Sequence, residues 1–279
     1  MQNTGNLWEQ LCRDLERRQA EESIEQRGTA ARNFEQAAVQ VFQGRPQRLQ
    51  DALEITGDIH QANGTMDDAI RCFGEAMKIA RGARNHAVVA RIATKLATVS
   101  EGRVDRETTV RFYRLAIESM ESAQDRSQIP AMLSNLGSLQ KAAGEMVAAE
   151  HSYRQALKEA QSLHGSRHPE VAVLANNLGV ALTEQRKFDQ AEDFHLMALA
   201  IREENFGGRH PEVAQSMSNL AAVYNARKRY KQAESYYRAA MDTLASFRGP
   251  DDPEMVAIRE QYEDLPQVRV RNLSKTRRL

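Results

Sequence analysis

The sequence predicts an all-α fold, a right-handed superhelical solenoid built from antiparallel helical hairpins. A segment recurring at a 42-residue step predicts it, together with small and aromatic residues spaced so that two helices can pack closely within each copy. Composition agrees. With 41% hydrophobic but only 6% aromatic residues, and with Ala, Gln, Glu, Arg and Leu abundant, the chain is rich in helix formers and poor in strand formers.

The clearest copies are Gly165-Ser166-Arg167-His168-Pro169-Glu170-Val171-Ala172 and Gly207-Gly208-Arg209-His210-Pro211-Glu212-Val213-Ala214. A weaker third, Asp252-Pro253-Glu254-Met255, keeps the register. Taking a small residue on each first helix as anchor, Gly137 is followed by Ala149, Tyr153 and Ala156, and Ala221 by Ala233, Tyr237 and Ala240. Gly57 gives Ala69, Phe73 and Ala76. Gly179 gives Ala191, His195 and Ala198, with His in the aromatic place, and Ala97 gives Thr109, Tyr113 and Ala116. The small residues let two helices approach, and the ring is expected to fill the wedge between one hairpin and the next.

Punctuation supports these hairpins. Asn63-Gly64, Gly144, Arg186 and Lys228 sit seven residues after their anchors, where a short connection needs a left-handed conformation. Pro169, Pro211, Pro253 and Pro130 fit first helical turns, with Glu170, Glu212 and Glu254 placed where the helix dipole favours a carboxylate.

The period, the His-Pro-Glu-Val-Ala openings and the Leu-x-Asn-Leu-type first helices resemble the tetratricopeptide repeats of kinesin light chains and their bacterial relatives. The match covers residues 130–262 and extends less closely to 45–129. The family's usual period of about 34 residues is exceeded, which implies longer helices. The resemblance implies an adaptor-type surface and leaves the cargo unnamed.

The expected organisation is a degenerate N-terminal hairpin or cap over 1–44, five repeats over 45–251, a capping helix over 252–264 and a basic flexible tail over 265–279. In the first segment Trp8, Leu11 and Leu15 share helical spacing, and Phe34 and Ala37 are placed as on a second helix. The Trp8 stripe either caps the array or docks a partner helix or a second copy. In the tail Arg269, Arg271, Lys275, Arg277 and Arg278 are basic, and no acid follows Asp264. The readings there are a solvated tail or a weak polyanion contact.

With 38 basic and 38 acidic residues the formal net charge is zero, so no global field draws the chain to nucleic acid or an anionic membrane. Cys12 and Cys72 match no metal-ligand spacing, so neither a disulfide framework nor a metal site is expected. No apolar segment is long enough for a membrane span, and the N-terminus lacks the apolar core of a signal peptide, which points to the cytoplasm. His164 and His168 are four apart, but Gly165 and Pro169 mark a turn there. Asp67-Asp68 and Asp251-Asp252 read as helix caps. No phosphate loop or hydrolase motif appears, so no catalysis and no cofactor are expected.

What remains is a surface for proteins. A residue two before the anchor points about 200° away from it on a helix. That position holds Asn135, Asn177 and Asn219, with Ser138, Gln215 and small apolar residues such as Val173 on the same face. Each amide carries a donor and an acceptor, a means of holding an extended peptide by its backbone. The kinesin-light-chain resemblance implies the same, since such asparagines line a concave groove there. Arg91 and Lys95, four apart on one face, are further candidates, for a ligand carboxylate. The expected role is a protein-interaction scaffold or adaptor, with an assembly chaperone, or a nucleic-acid-associated regulator acting through the basic tail, as alternatives.

Overall fold

The computed structural model describes residues 24–270, together with Arg13. Its helices are α1 (Ile24–Val41), α2 (Pro46–Ala62), α3 (Met66–Gly82), α4 (His86–Ser100), α5 (Arg106–Ser122) and α6 (Ile129–Ala142). They continue as α7 (Met146–His164), α8 (Pro169–Glu184), α9 (Phe188–Phe206), α10 (Pro211–Ala226), α11 (Tyr230–Leu244) and α12 (Pro253–Glu263). The described residues contain no strand. The chain divides into two compact units, residues 1–132 and 133–279.

In the first unit α2 pairs with α3 and α4 with α5, α3 packs on α4, and α1 lies against α2. In the second, α8 pairs with α9 and α10 with α11, while α7 packs on α8, α9 on α10 and α11 on α12. Contacts thus run mainly between helices consecutive in the chain, with α8 and α10, the first helices of adjacent hairpins, also meeting, as in a stacked array. The longer period is taken up where the resemblance implied: α7 and α9 each have 19 residues.

The anchors and rings form the core of each hairpin. Phe73, Tyr113, Tyr153, His195 and Tyr237 are buried, as are the alanines around them. Each glycine anchor is a seat for the ring of its own hairpin. A Cβ added at Gly57 would lie 2.5 Å from Phe73 Cε1, one at Gly137 2.9 Å from Tyr153 Cε1, and one at Gly179 2.7 Å from His195 Cε1. The inter-hairpin wedge expected for the ring is a smaller part of its role, seen where Tyr237 Oη donates to Gln261 of α12 at 3.1 Å.

Helix starts follow local chemistry. Pro169, Pro211 and Pro253 open α8, α10 and α12, and the preceding His168, His210 and Asp252 each accept a hydrogen bond from the backbone N–H two residues on. A histidine can cap only with an unprotonated ring nitrogen, here Nδ1 in both. Gly64, Gly144, Arg186 and Lys228 all have positive φ, as expected of the turns inside the hairpins.

Three expectations are corrected. Asp67 and Asp68 lie in the first turn of α3 rather than at its cap, which is Thr65. Asp68 pairs instead with Arg71 at 3.5 Å. Along α1, Ala30, Ala31, Phe34 and Ala38 are among the buried residues, with Phe42 just beyond its end, so Ala38 rather than Ala37 faces the core. The flexible tail does not begin at 265: residues 266–270 are helical, and Leu265 and Val268 are buried with Leu244, Met255 and Ile258. Gln267 ties this turn to α11 by donating to the Tyr230 carbonyl at 2.9 Å. Trp8, Leu11 and Leu15 lie outside the described residues.

Candidate functional site

The first helix of each hairpin buries its anchor side and turns the other side outward. In the second unit that outward side carries Asn135 on α6, Asn177 on α8 and Asn219 on α10, the first exposed and the other two half-buried. The difference in burial has a cause. Asn177 Nδ2 donates to Ser134 Oγ on α6 at 3.4 Å, and Asn219 Nδ2 donates to Asn176 Oδ1 on α8 at 2.7 Å. Both amides therefore join the first helices of adjacent hairpins, and each keeps its Oδ1 acceptor and its second N–H for a ligand.

Asn176 is itself a link inward. Its Oδ1 also meets His195 Nδ1 at 3.2 Å, so a polar chain runs from the surface at Asn219 to a buried ring. Burial, reinforced by the positive charge of Arg202, holds His195 down to about 4. It is neutral at ordinary pH, with Nδ1–H the donor to the amide oxygen. The flanking positions differ in freedom. Ser138 Oγ is bonded to Tyr153 Oη at 2.9 Å, whereas Gln215 and Val173 are exposed beside the asparagines.

The basic candidates lie in the first unit, and the structure gives each a carboxylate of its own chain. Arg91 Nε donates to Glu54 at 2.7 Å, and Lys95 Nζ lies 2.7 Å from Asp58 and 2.9 Å from Glu54. Burial pushes the Glu54 carboxyl up, but the hydrogen bonds from Arg91 and Lys95 outweigh it and leave the group below its ordinary value. The pair does not stand free for a ligand's carboxylate. A cavity of about 470 Å³ opens beside it, lined in part by Arg91, Thr94, Lys95, Met120 and Gln128. A signal for this existed: Glu54 with Arg91, Asp58 with Lys95 and Glu150 with Lys187 all join acid to base 37 residues on.

Of the basic C-terminal residues, Arg269 is paired with Asp264 at 2.7 Å, and Arg271, Lys275, Arg277 and Arg278 lie outside the described residues. His164 and His168 are stacked at 4.5 Å, and His164 meets Glu170 at 3.1 Å in the turn before α8. Among the described residues, the group able to hold a metal ion is elsewhere, at Glu35, His60 and Cys72 in the first unit.

Residues 128–204 and 173–246 match the tetratricopeptide repeat family model. Residues 128–246 are tetratricopeptide repeats. A search of curated proteins returns no match. Among solved structures, BtubC (BKLC) from P. vanneervenii is 26% identical, with 82% of this chain and 94% of that one covered and a TM-score of 0.66. A Podosopora anserina chain, described as a kinesin light chain with nearly identical TPR-like repeats, is 16% identical over 74% of this chain and 100% of its own, with a TM-score of 0.61. YrrB, described as a TPR protein with an unusual peptide-binding site, is 11% identical over 80% of this chain and 98% of its own, at a TM-score of 0.56. The tetratricopeptide hairpins thus extend in fold beyond the matched residues, and the fold is one that serves in general as a protein-interaction scaffold. None of the described helices is long and apolar enough to cross a membrane.

Proposed function

We propose that the outward side of α6, α8 and α10 holds an extended segment of a protein partner, making the chain a non-catalytic scaffold or adaptor. The observation that carries this reading is the recurrence of an amide at one position of three successive first helices, with exposed Gln215 and Val173 alongside. Peptide N–H groups would donate to the Oδ1 atoms of Asn177 and Asn219, and Asn135 would both donate and accept. Each such bond contributes about 1 kcal/mol, so affinity comes from the row and not from one residue.

The hydrogen bonds already present divide the predicted effects of mutation. Asn135→Ala with Gln215→Ala touches no internal contact and is expected to leave the melting temperature unchanged while weakening a partner about tenfold or more. Asn219→Ala removes the donor to Asn176 and should lower stability by about 1 kcal/mol as well. The test is affinity capture with the parent chain, followed by calorimetric titration of the captured partner against each variant. Equal affinity for the parent and the Asn135/Gln215 variant would overturn the assignment of this face.

A further inference from the structure

Three helices of the first unit converge on side chains that the outward face does not use. Glu35 on α1, His60 on α2 and Cys72 on α3 bring a carboxylate oxygen, a ring nitrogen and a sulfur within 4.8 Å of one another. His60 and Cys72 are wholly buried.

The proton on His60 can be placed. Thr65 Oγ1 donates to the His60 carbonyl at 3.1 Å, so the same oxygen must accept from His60 Nδ1, 2.8 Å away. Burial favours the neutral ring, against the pull of Asp68 and Glu35. A neutral imidazole with its proton on Nδ1 has its lone pair on Nε2. That atom is buried and has no hydrogen-bond partner. Interiors do not usually leave such an acceptor unmet.

The other two groups complete a donor set. Cys72 Sγ–H points to Glu35 Oε2 at 3.6 Å, and burial, with the neighbouring carboxylate, pushes the thiol up to about 12. Alone it stays protonated. Glu35 is also held by Arg71, whose guanidinium donates to both carboxylate oxygens, at 2.5 and 2.8 Å.

We propose that His60 Nε2, Cys72 Sγ and the Glu35 carboxylate form a binding site for a zinc-class divalent cation that fastens α1 onto the α2–α3 hairpin. Mixed nitrogen, sulfur and oxygen donors suit zinc, whereas calcium and magnesium take oxygen alone. On binding, the Cys72 S–H bond breaks, its proton leaves to solvent, and a sulfur–metal bond takes its place. The two charges of the ion are then met by the thiolate and Glu35, and Arg71 keeps Asp68, 3.5 Å away. Bonds of about 2.0–2.3 Å require the three ligand atoms to draw together by about 1 Å, within reach of side-chain rotation. Sequence spacing gave no hint, because each ligand comes from a different helix.

Cobalt(II) titration of the full chain under reducing conditions tests this, read by absorption. A thiolate-to-cobalt charge-transfer band with tetrahedral d–d bands, saturating at one equivalent and displaced by zinc, is expected. Cys12→Ser should keep the band and Cys72→Ser should lose it. Glu35→Gln, which preserves a hydrogen-bonding partner for Arg71, should bind at least about tenfold more weakly. Zinc should also raise the melting temperature of the parent, with a chelator reversing the rise, a readout that stands even if a Cys72 variant does not fold. No charge-transfer band at millimolar cobalt, a band that follows Cys12, or unchanged affinity in Glu35→Gln would overturn the proposal.

Discussion

Gly57→Val is expected to destabilise the first unit by about 3 kcal/mol, seen as a lower urea midpoint with an unchanged slope. The seat beneath Phe73 leaves no room, since even a single added carbon would sit 2.5 Å from Cε1 and 2.7 Å from Cδ1 of the ring. Phe73 is fully buried and cannot swing into solvent without losing its packing. Ala97 and Ala221 occupy the same register beneath Tyr113 and Tyr237, so a methyl is tolerated where the ring has settled for it. A valine adds two further carbons and removes that option. Combining Gly57→Val with Phe73→Ala should cost clearly less than the two changes added together, because each relieves part of the strain of the other. A midpoint for Gly57→Val within about 0.5 kcal/mol of the parent would show that the ring is not seated on the glycine.

The second large effect is a dependence on acidity. In the folded chain burial holds His195 down to about 4, while in the unfolded chain it titrates near its ordinary value of about 6.5. Between those values the unfolded state takes a proton that the folded state refuses. The contribution to stability is therefore whole above about pH 6.5 and drains away as pH falls toward 4, amounting to about 3 kcal/mol in all. His60, also lowered by burial, adds a change of the same sign. His195→Phe should flatten the pH profile by its own share while keeping a ring on Gly179, as Phe73 sits on Gly57. Asn176 Oδ1 would still accept from Asn219 at 2.7 Å. Parallel stability curves for parent and variant between pH 6.5 and 4 would refute the assignment.

The hairpins were legible because their determinants are local and periodic. Gly57, Gly137 and Gly179 can be matched to Phe73, Tyr153 and His195 by counting, and Pro169 and Pro211 announce helix starts without knowledge of what lies opposite. The polar contacts were less so. Asn177 and Asn219 lie on the side of their helices away from the anchor, yet one N–H of each is taken by Ser134 and Asn176 across the step to the preceding hairpin. That depends on how far one helix is rotated against the next, which no single-repeat pattern records. The same step sets Glu54 and Asp58 against Arg91 and Lys95, so a pair that looked free in one repeat is neutralised by another. Glu35, His60 and Cys72 were invisible for a related reason: periodicity says nothing of three unlike residues that meet once.

The two sides of each first helix also differ in how they can change over evolutionary time. The anchor is packed against its ring, so a larger anchor needs a ring that gives way. Two residues before the anchor the chain carries Ile55, Lys95, Asn135, Asn177 and Asn219 in turn, three kinds of chemistry on one repeated scaffold. Because contacts run between chain neighbours, a substitution there disturbs at most the adjoining hairpin. Descendants of such a chain can therefore rewrite what the surface prefers one hairpin at a time, and duplication of a hairpin supplies a fresh position already in register.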